Sequence, residues 1–439
     1  MLRRSVHVVA RRLLQLLPRA WRFEVMRSMV ACELDPGPSL ELKIADTREE
    51  LEACFALLHD AYVGEGFMKP DPSGLRVTAY HALPTTTTLC AKVDGRVVGT
   101  LSLIREGVFG FPMQTAFDLS AVRARQGRIA EVSALAVHRD FRRTGGRILF
   151  PLMKFMYEYC TSYFDTRHLL IAVNPNKIEL YEALLGFKRL PAAVVDRYDF
   201  ANGAPAVGAA LDLARAPAWM QARYGRKAPG RDLHHYFVWH RLPHIQAPLR
   251  RYHTTNDPVM TEALIEHFFL HRTQAYKSLD TRRQLLLRTL YRLDRSGRGT
   301  SPELEPASFL RAHPRYSIAC PARWRPDGGG TDMPVRVVDM SLSGCRLESA
   351  AALASGQRGR LTVELGQGEC SVVEAAIVRK GPVHAGAPAS YGFRVLTPDA
   401  AWTACVEALE RGRTHADLMS RTPPSPAALE LQAALAAAA

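Results

Sequence analysis

No apolar run in the 439 residues reaches the ~18 needed to span a bilayer as a helix, so an integral membrane protein is not expected. The eight cysteines are scattered, without paired zinc spacing and without a secretion signal. That pattern excludes a disulfide scaffold and predicts reduced, mostly core thiols in a cytoplasmic protein. Acidic side chains are in deficit: 43 Asp and Glu face 57 Lys and Arg, a formal net charge of +14. Such a balance suits an anionic membrane surface, a phosphorylated ligand, an acidic carrier protein or nucleic acid. No basic stretch is interleaved with aromatics as in a nucleic-acid module, so neither DNA nor RNA is the expected partner. What is present is 47% hydrophobic residues and length enough for two or three domains.

The chain is organised around Arg128 to Leu190. Ile129, Val132, Leu135 and Val137 are apolar and bounded by charge, as in a half-buried strand. A basic turn follows, Arg142-Arg143-Thr144-Gly145-Gly146-Arg147, then an apolar helical run from Ile148. Glycines between a strand and a helix let backbone N–H groups approach a ligand, and a helix N-terminus favours anions. The arginines add fixed positive charge, so a diphosphate or phosphopantetheine fits. Further on, Asn176 begins a short helix carrying Leu180-Tyr181 and ending at Gly186-Phe187. The turn and this second piece, in that order, resemble the GNAT acetyltransferases. The resemblance implies donor binding by Arg142, Arg143, Gly145, Gly146, Arg147 and Asn176. Arg147 departs from the family, which usually ends the turn with a small residue.

The first thirty residues alternate basic and apolar, with Leu13, Leu14, Leu16 and Leu17 beside Arg11 and Arg12. A basic amphipathic helix can lie peripherally on the inner membrane, or pack on the protein's own core; the pattern leaves both open. Leu40 to Ile44 reads as a strand. Thr47 to Tyr62 reads as a helix with Thr47 and Glu50 forming a capping box. A Gly- and Pro-rich loop follows, then a hairpin across Asp94-Gly95. After Phe187 we expect a strand at about Arg189–Val195, an Ala-rich helix at about Pro205–Arg215, and an aromatic strand at His235–His240 that either lines an acyl tunnel or is ordinary sheet core. Arg250 to Leu293 has helical spacing.

Several blocks sharpen the resemblance: His59-Asp60-Ala61-Tyr62, Gly74-Leu75-Arg76, Leu83-Pro84-Thr85, Phe111-Pro112-Met113 and Glu131-Val132-Ser133. Over about Leu40 to Arg241 the chain is similar to the FeeM-type N-acyl amino acid synthases, GNAT-like relatives of the acyl-homoserine lactone synthases. The resemblance implies transfer of a long fatty acyl group from acyl carrier protein, or from CoA, to the α-amine of an amino acid, with no tightly bound cofactor. Ser133 joins Glu131 in the implied catalytic set. Many relatives carry Arg after Glu-x-Ser; here Ala134 stands there, and another arginine such as Arg76 has to hold the acceptor carboxylate or the carrier arm.

Acyl transfer from a thioester needs a neutral amine, a donor to the oxyanion and a protonated leaving sulfur. Glu131 is the candidate base, or else a residue that fixes neighbouring loops. Backbone N–H groups of residues 135–137 can polarise the carbonyl. Tyr181 matches the GNAT tyrosine that protonates the sulfur, or else packs on the sheet. Cys90 and Cys160 have no base placed near them and read as core.

From Arg311 the composition turns to strands, and six of them followed by a helix predict a small barrel. Arg311-x-x-x-Arg315 and Asp339-x-Ser341-x-x-Gly344 resemble the PilZ signature, which implies cyclic di-GMP as effector. Arginine forks match guanine O6 and N7, Asp339 can accept guanine N–H groups, Ser341 can add a hydrogen bond, and Gly344 permits close approach. The expected architecture is an α/β GNAT-like acyltransferase domain, a helical linker and an all-β PilZ barrel. The expected boundaries are 1–38 (amphipathic segment), 39–245 (acyltransferase), 246–306 (connector), 307–412 (barrel) and 413–439 (tail). The alternatives are an acetyltransferase acting on a small amine, and a non-catalytic cyclic di-GMP-sensing membrane adaptor.

Overall fold

A computed structural model describes residues 17–107, 109–125, 127–142, 144–164, 166–248, 253–254, 260–291, 313, 315–328, 331–366, 368–381 and 388–410. It has two compact units, one drawn from most residues up to 246 and the other comprising the residues beyond together with 77–87 and 162–165. Each is taken by itself.

The first unit begins with helix α1 (Arg19–Ser28), strand β1 (Leu40–Ile44), helix α2 (Arg48–Gly64), and strands β2 (Thr86–Val93), β3 (Arg96–Arg105) and β4 (Arg128–Val137). Then come helix α3 (Leu149–Ser162), β5 (Thr166–Val173), α4 (Pro175–Leu185), β6 (Lys188–Tyr198), β7 (Ala204–Asp212) and α5 (Ala216–Tyr224). The sheet order is β1-β2-β3-β4-β5-β7-β6, with β4 and β5 parallel. Asp94 and Gly95 both take positive φ, 50° and 76°, the tight hairpin turn expected between β2 and β3.

Thr47 caps α2, accepting from the Glu50 N–H at 3.2 Å. Glu50 does not complete the capping box. Its carboxylate, 8% exposed, takes Lys92 Nζ at 2.8 Å and Lys43 Nζ at 3.0 Å, and receives the Asp46 N–H. This ion cluster ties α2 to β1 and β2.

Besides the capping box, three expectations fail. His253–Thr254, inside the Arg250–Leu293 stretch of helical spacing, form a short strand. The Ala-rich stretch expected as a helix is strand β7, inserted between β5 and β6. A Cβ on Gly208 would lie 2.7 Å from the Phe117 ring and 3.0 Å from Leu190, so small residues here allow close strand packing. Tertiary context overrides the helix propensity of alanine. His235–Trp239, expected as a strand, is a single wide helical turn, with the His240 N–H on the His235 carbonyl. Asp232 starts it by accepting from the His235 N–H at 3.0 Å.

The second unit carries strand β8 (His253–Thr254), a helical stretch Glu262–Arg272 and helix α6 (Thr281–Tyr291). Its barrel is β9 (Tyr316–Pro326), β10 (Met333–Ser341), β11 (Gly344–Ser349), β12 (Arg358–Gly366), β13 (Glu369–Lys380) and β14 (Ala389–Thr397), followed by helix α7 (Ala400–Glu410). The order β10-β11-β14-β13-β12-β9 closes because β9 also pairs with β10. Trp324, Trp402, Tyr391 and Phe393 fill the interior.

Burial alone would raise the Glu50 pKa, but hydrogen bonds from Lys92 and Lys43 outweigh it and hold the carboxylate at about 2. The stability this contributes is present above the unfolded value near 4.5 and lost as pH falls toward about 2. Glu50→Gln should destabilise the first unit by roughly 2–3 kcal/mol at pH 7. The gap to wild type, read by chemical denaturation, should begin to narrow below about pH 4.5 and close only as the pH nears about 2.

Candidate active site and barrel motif

A cavity exists in the first unit because β4 and β5 part. Their pairing runs from Arg128 to Glu131 and stops at the Glu131–Leu170 rung. On its other side β4 shifts register against β3, so that Ala134 and Leu135 together oppose Leu101. Ala134 takes φ 54°, a strained left-handed conformation that kinks the strand. Residues 132–137 therefore have no β5 partner, and their backbone edge faces the gap. A cavity of about 490 Å³ opens there. Leu101, Met153, Met156, Leu185 and Phe187 make much of its wall apolar, while Glu131, Ser133, Asn174, Asn176 and Tyr181 bring polar atoms.

Glu131 sits on the last paired rung, 2% exposed, and accepts the Met113 N–H at 3.0 Å. Among the described residues no cationic side chain pairs with it. Burial pushes its carboxyl up to about 8, against the smaller opposing effect of the Met113 N–H. Tyr62 feels both this carboxyl and Arg76: burial raises its hydroxyl pKa, the Arg76 charge opposes that, and Glu131 adds to it. The Arg76 guanidinium lies over the Tyr62 ring at 4.0 Å, near the Phe200 ring at 5.0 Å, and donates to the Phe200 carbonyl at 2.9 Å. Among the described residues no carboxylate pairs with it, and burial lowers its pKa. Tyr62 and Phe200, not Arg76 itself, form the cavity wall.

Ser133 and Tyr181 both reach the cavity. Tyr181 meets the Phe187 ring edge-on, and burial raises its hydroxyl pKa, so it holds its proton. Gly145 and Gly146 take φ 69° and 90°, and a Cβ on Gly146 would strike the Phe150 ring at 2.5 Å. The turn therefore needs glycine for conformation and, at Gly146, for space. Arg142 donates to the Val137 carbonyl at 2.8 Å, and Arg147 pairs with Glu33 at 3.0 Å, away from the turn. Arg143 lies outside the described residues.

Asn176 reaches the cavity, but α4 is capped by Asn174, whose side chain accepts the Asn176 N–H at 3.0 Å. Sequence reasoning missed Asn174; the Asn-Pro pair before the helix was the available signal. It also missed Tyr198, Phe200 and Lys177 on the cavity wall, residues that no local pattern marks. His235–His240 does not line the cavity. Cys90 and Cys160 are fully buried. The hydrogen bond with Cys54 and then burial raise the Cys90 pKa, and burial pushes Cys160 to about 12, so neither suits a nucleophile.

The described part of the N-terminal segment packs on its own unit. Arg19 pairs with Glu182 at 2.6 Å, Arg22 pairs with Glu179, and Arg27 donates to the Ala183 carbonyl at 2.9 Å. Trp21 and Met29 stay exposed. Residues 1–16, with most of the leucine-arginine pattern, lie outside the described residues. Among the described residues no helix is long and apolar enough to cross a membrane, and no His/Cys/Asp/Glu group is gathered as for a metal ion.

On the barrel, Arg315 donates to Asp339 Oδ1 at 2.8 Å; Arg311 lies outside the described residues. The Ser341 hydroxyl turns inward onto the Gly344 carbonyl at 3.0 Å, and the Trp402 indole N–H donates to the Ser341 carbonyl at 2.9 Å. A Cβ on Gly344 would fall 2.4 Å from the Phe393 carbonyl oxygen. Glycine is required there by the neighbouring strand.

Residues 53–212 match the family model for the N-acyl amino acid synthase FeeM, and residues 309–409 match the PilZ domain. No curated protein matches the chain. Among solved structures, FeeM from uncultured soil microbes, an N-acyl amino acid synthase, is 24% identical over 42% of this chain and 95% of its own, with a TM-score of 0.35. BjaI, a CoA-dependent acyl-homoserine lactone synthase solved with SAM and isopentyl-CoA, is 23% identical over 48% and 93%, with a TM-score of 0.34. YcgR from Escherichia coli, solved with c-di-GMP, is 21% identical over 24% of this chain and 47% of its own, with a TM-score of 0.21. The chain thus joins a FeeM-type, GNAT-like α/β acyltransferase domain to a six-stranded PilZ barrel.

Proposed function

We propose that the protein transfers a long-chain acyl group from acyl carrier protein, or from CoA, to the α-amine of an amino acid, under control of cyclic di-GMP bound to the barrel. One observation carries the acceptor assignment. A buried carboxyl, Glu131, and a half-buried guanidinium, Arg76, have no oppositely charged partner among the described residues, and both act on Tyr62, which lines a cavity of mixed polar and apolar wall. An amino acid brings the two missing charges on adjacent carbons: its carboxylate suits Arg76 and its ammonium suits Glu131. The apolar wall suits the acyl chain.

In this reading ionised Glu131 takes one proton from the bound ammonium, the neutral nitrogen attacks the thioester carbonyl, and the second N–H proton passes to solvent as the intermediate collapses, where it offsets the proton that Tyr181 gives up. The oxyanion faces the unpaired backbone edge of β4, the C–S bond breaks, and Tyr181 supplies a proton to the sulfur. Gly145 and Gly146 bring backbone N–H groups to the donor's phosphates, with Arg142 and Asn176 at the rim. The protein works in the cytoplasm, and the exposed Trp21 and Met29 offer a peripheral contact for an anionic membrane.

Mass spectrometry of lipid extracts from cells overexpressing the chain should show new N-acyl amino acids. Their absence, together with failure of the purified protein to consume long-chain acyl carrier protein or acyl-CoA with any amino acid, would overturn the proposal. Glu131 is protonated below about 8 and ionised above it, so kcat/KM should rise with pH through that region. Glu131→Gln should lower kcat/KM about a hundredfold or more and leave only the pH dependence of the free amine. Arg76→Lys should raise the KM for the amino acid about tenfold with kcat little changed. An amino acid amide, lacking the carboxylate, should not distinguish that variant from wild type.

A further inference from the structure

Arg346 belongs to no motif. It lies two residues after Gly344 on β11, and strand register sets it directly opposite Asp339. Strand β10 shifts register between Val337 and Asp339 against both neighbours, a bulge at the rung where Asp339 begins. Arg346 Nε stands 3.0 Å from Asp339 Oδ2, while Arg315 Nη1 holds Oδ1 at 2.8 Å. One carboxylate therefore carries two guanidinium groups, from opposite flanks, and one positive charge is left over. The Arg346 side chain is the most open of the three, 48% exposed against 23% for Arg315 and 14% for Asp339. Among the described residues its two terminal nitrogens donate to no acceptor.

A guanine base offers its N1–H and N2–H groups side by side to a carboxylate. Both Asp339 oxygens are already taken, so a guanidinium has to yield, and Arg346 is the one with room to move. Once released it remains on the same face of the barrel, beside a ligand bearing two phosphodiester charges. Its planar donor edge matches two phosphate oxygens.

We propose that Arg346 is a third arginine of the nucleotide site, exchanging Asp339 for a phosphodiester of cyclic di-GMP when guanine takes Asp339. The proposal rests on the nucleotide reading above. Isothermal titration of the full chain with cyclic di-GMP, at low and high salt, tests it on wild type, Arg346→Gln and Arg346→Lys. The Gln variant should lose about tenfold in affinity at low salt, the worth of one charge-assisted contact. The loss should narrow at high salt, where the pairing is screened, and Lys should restore most of it. Two results overturn the assignment: a Gln variant within about twofold of wild type, or a loss that ignores salt and that Lys does not repair. The second would mean that Arg346 only positions Asp339. Failure of the wild type to bind would instead remove the nucleotide reading itself. Arg346 is half exposed and fills no core, so ligand-free melting should match wild type and confirm that both variants fold.

Discussion

A parallel strand pair that stops halfway is the constraint on which the first unit depends. Hydrogen bonding between β4 and β5 ends at Glu131, and the left-handed Ala134 turns the rest of β4 away. From that one departure come the opening between strands, the unpaired backbone edge along it, and the dry surroundings of the Glu131 carboxyl. A sheet continued in register would close the cavity and leave Glu131 an ordinary core defect. The strain at Ala134, on the order of 1 kcal/mol or more, is sustained by the β3 ladder on the other side.

Charge is handled in three ways. Around Glu50 two lysines compensate the carboxylate and the result is structural. Around Tyr62 a carboxyl and a guanidinium have no oppositely charged partner among the described residues, and burial disfavours the charged form of each. Around Asp339 the carboxylate is overcompensated, which suits an anionic ligand. The net charge of +14 describes the whole chain but says little about these local balances.

Features were legible in the sequence where they are local. The glycine turn at Gly145-Gly146, the hairpin at Asp94-Gly95, the Thr47 cap and the six barrel strands depend on neighbours a few residues apart. Glu131 was legible as a candidate base because it precedes the turn on a recognisable strand. Long-range packing was not legible. Ala204–Asp212 is a strand because β5 and β6 flank it, against the helix preference of its alanines. Phe200 reaches the same cavity wall as Tyr62 from a single 3-10 turn, Asp199–Ala201, that no sequence pattern marks. The pairing of Arg147 with Glu33 and the inward turn of Ser341 follow from folding, not from motif.

Helix α7 reaches back into the barrel through a single indole. Trp402 is fully buried, and its N–H satisfies the carbonyl of Ser341 at the end of β10. Asp399 fixes the start of that helix to β13 by accepting from the Val372 N–H and from Ser371. The last helix is thus a plug that braces the strand end bearing Asp339 and Ser341. A barrel trimmed back to its six strands would expose a hydrophobic hole and orphan that carbonyl, so a minimal sensing fragment has to extend through Glu410.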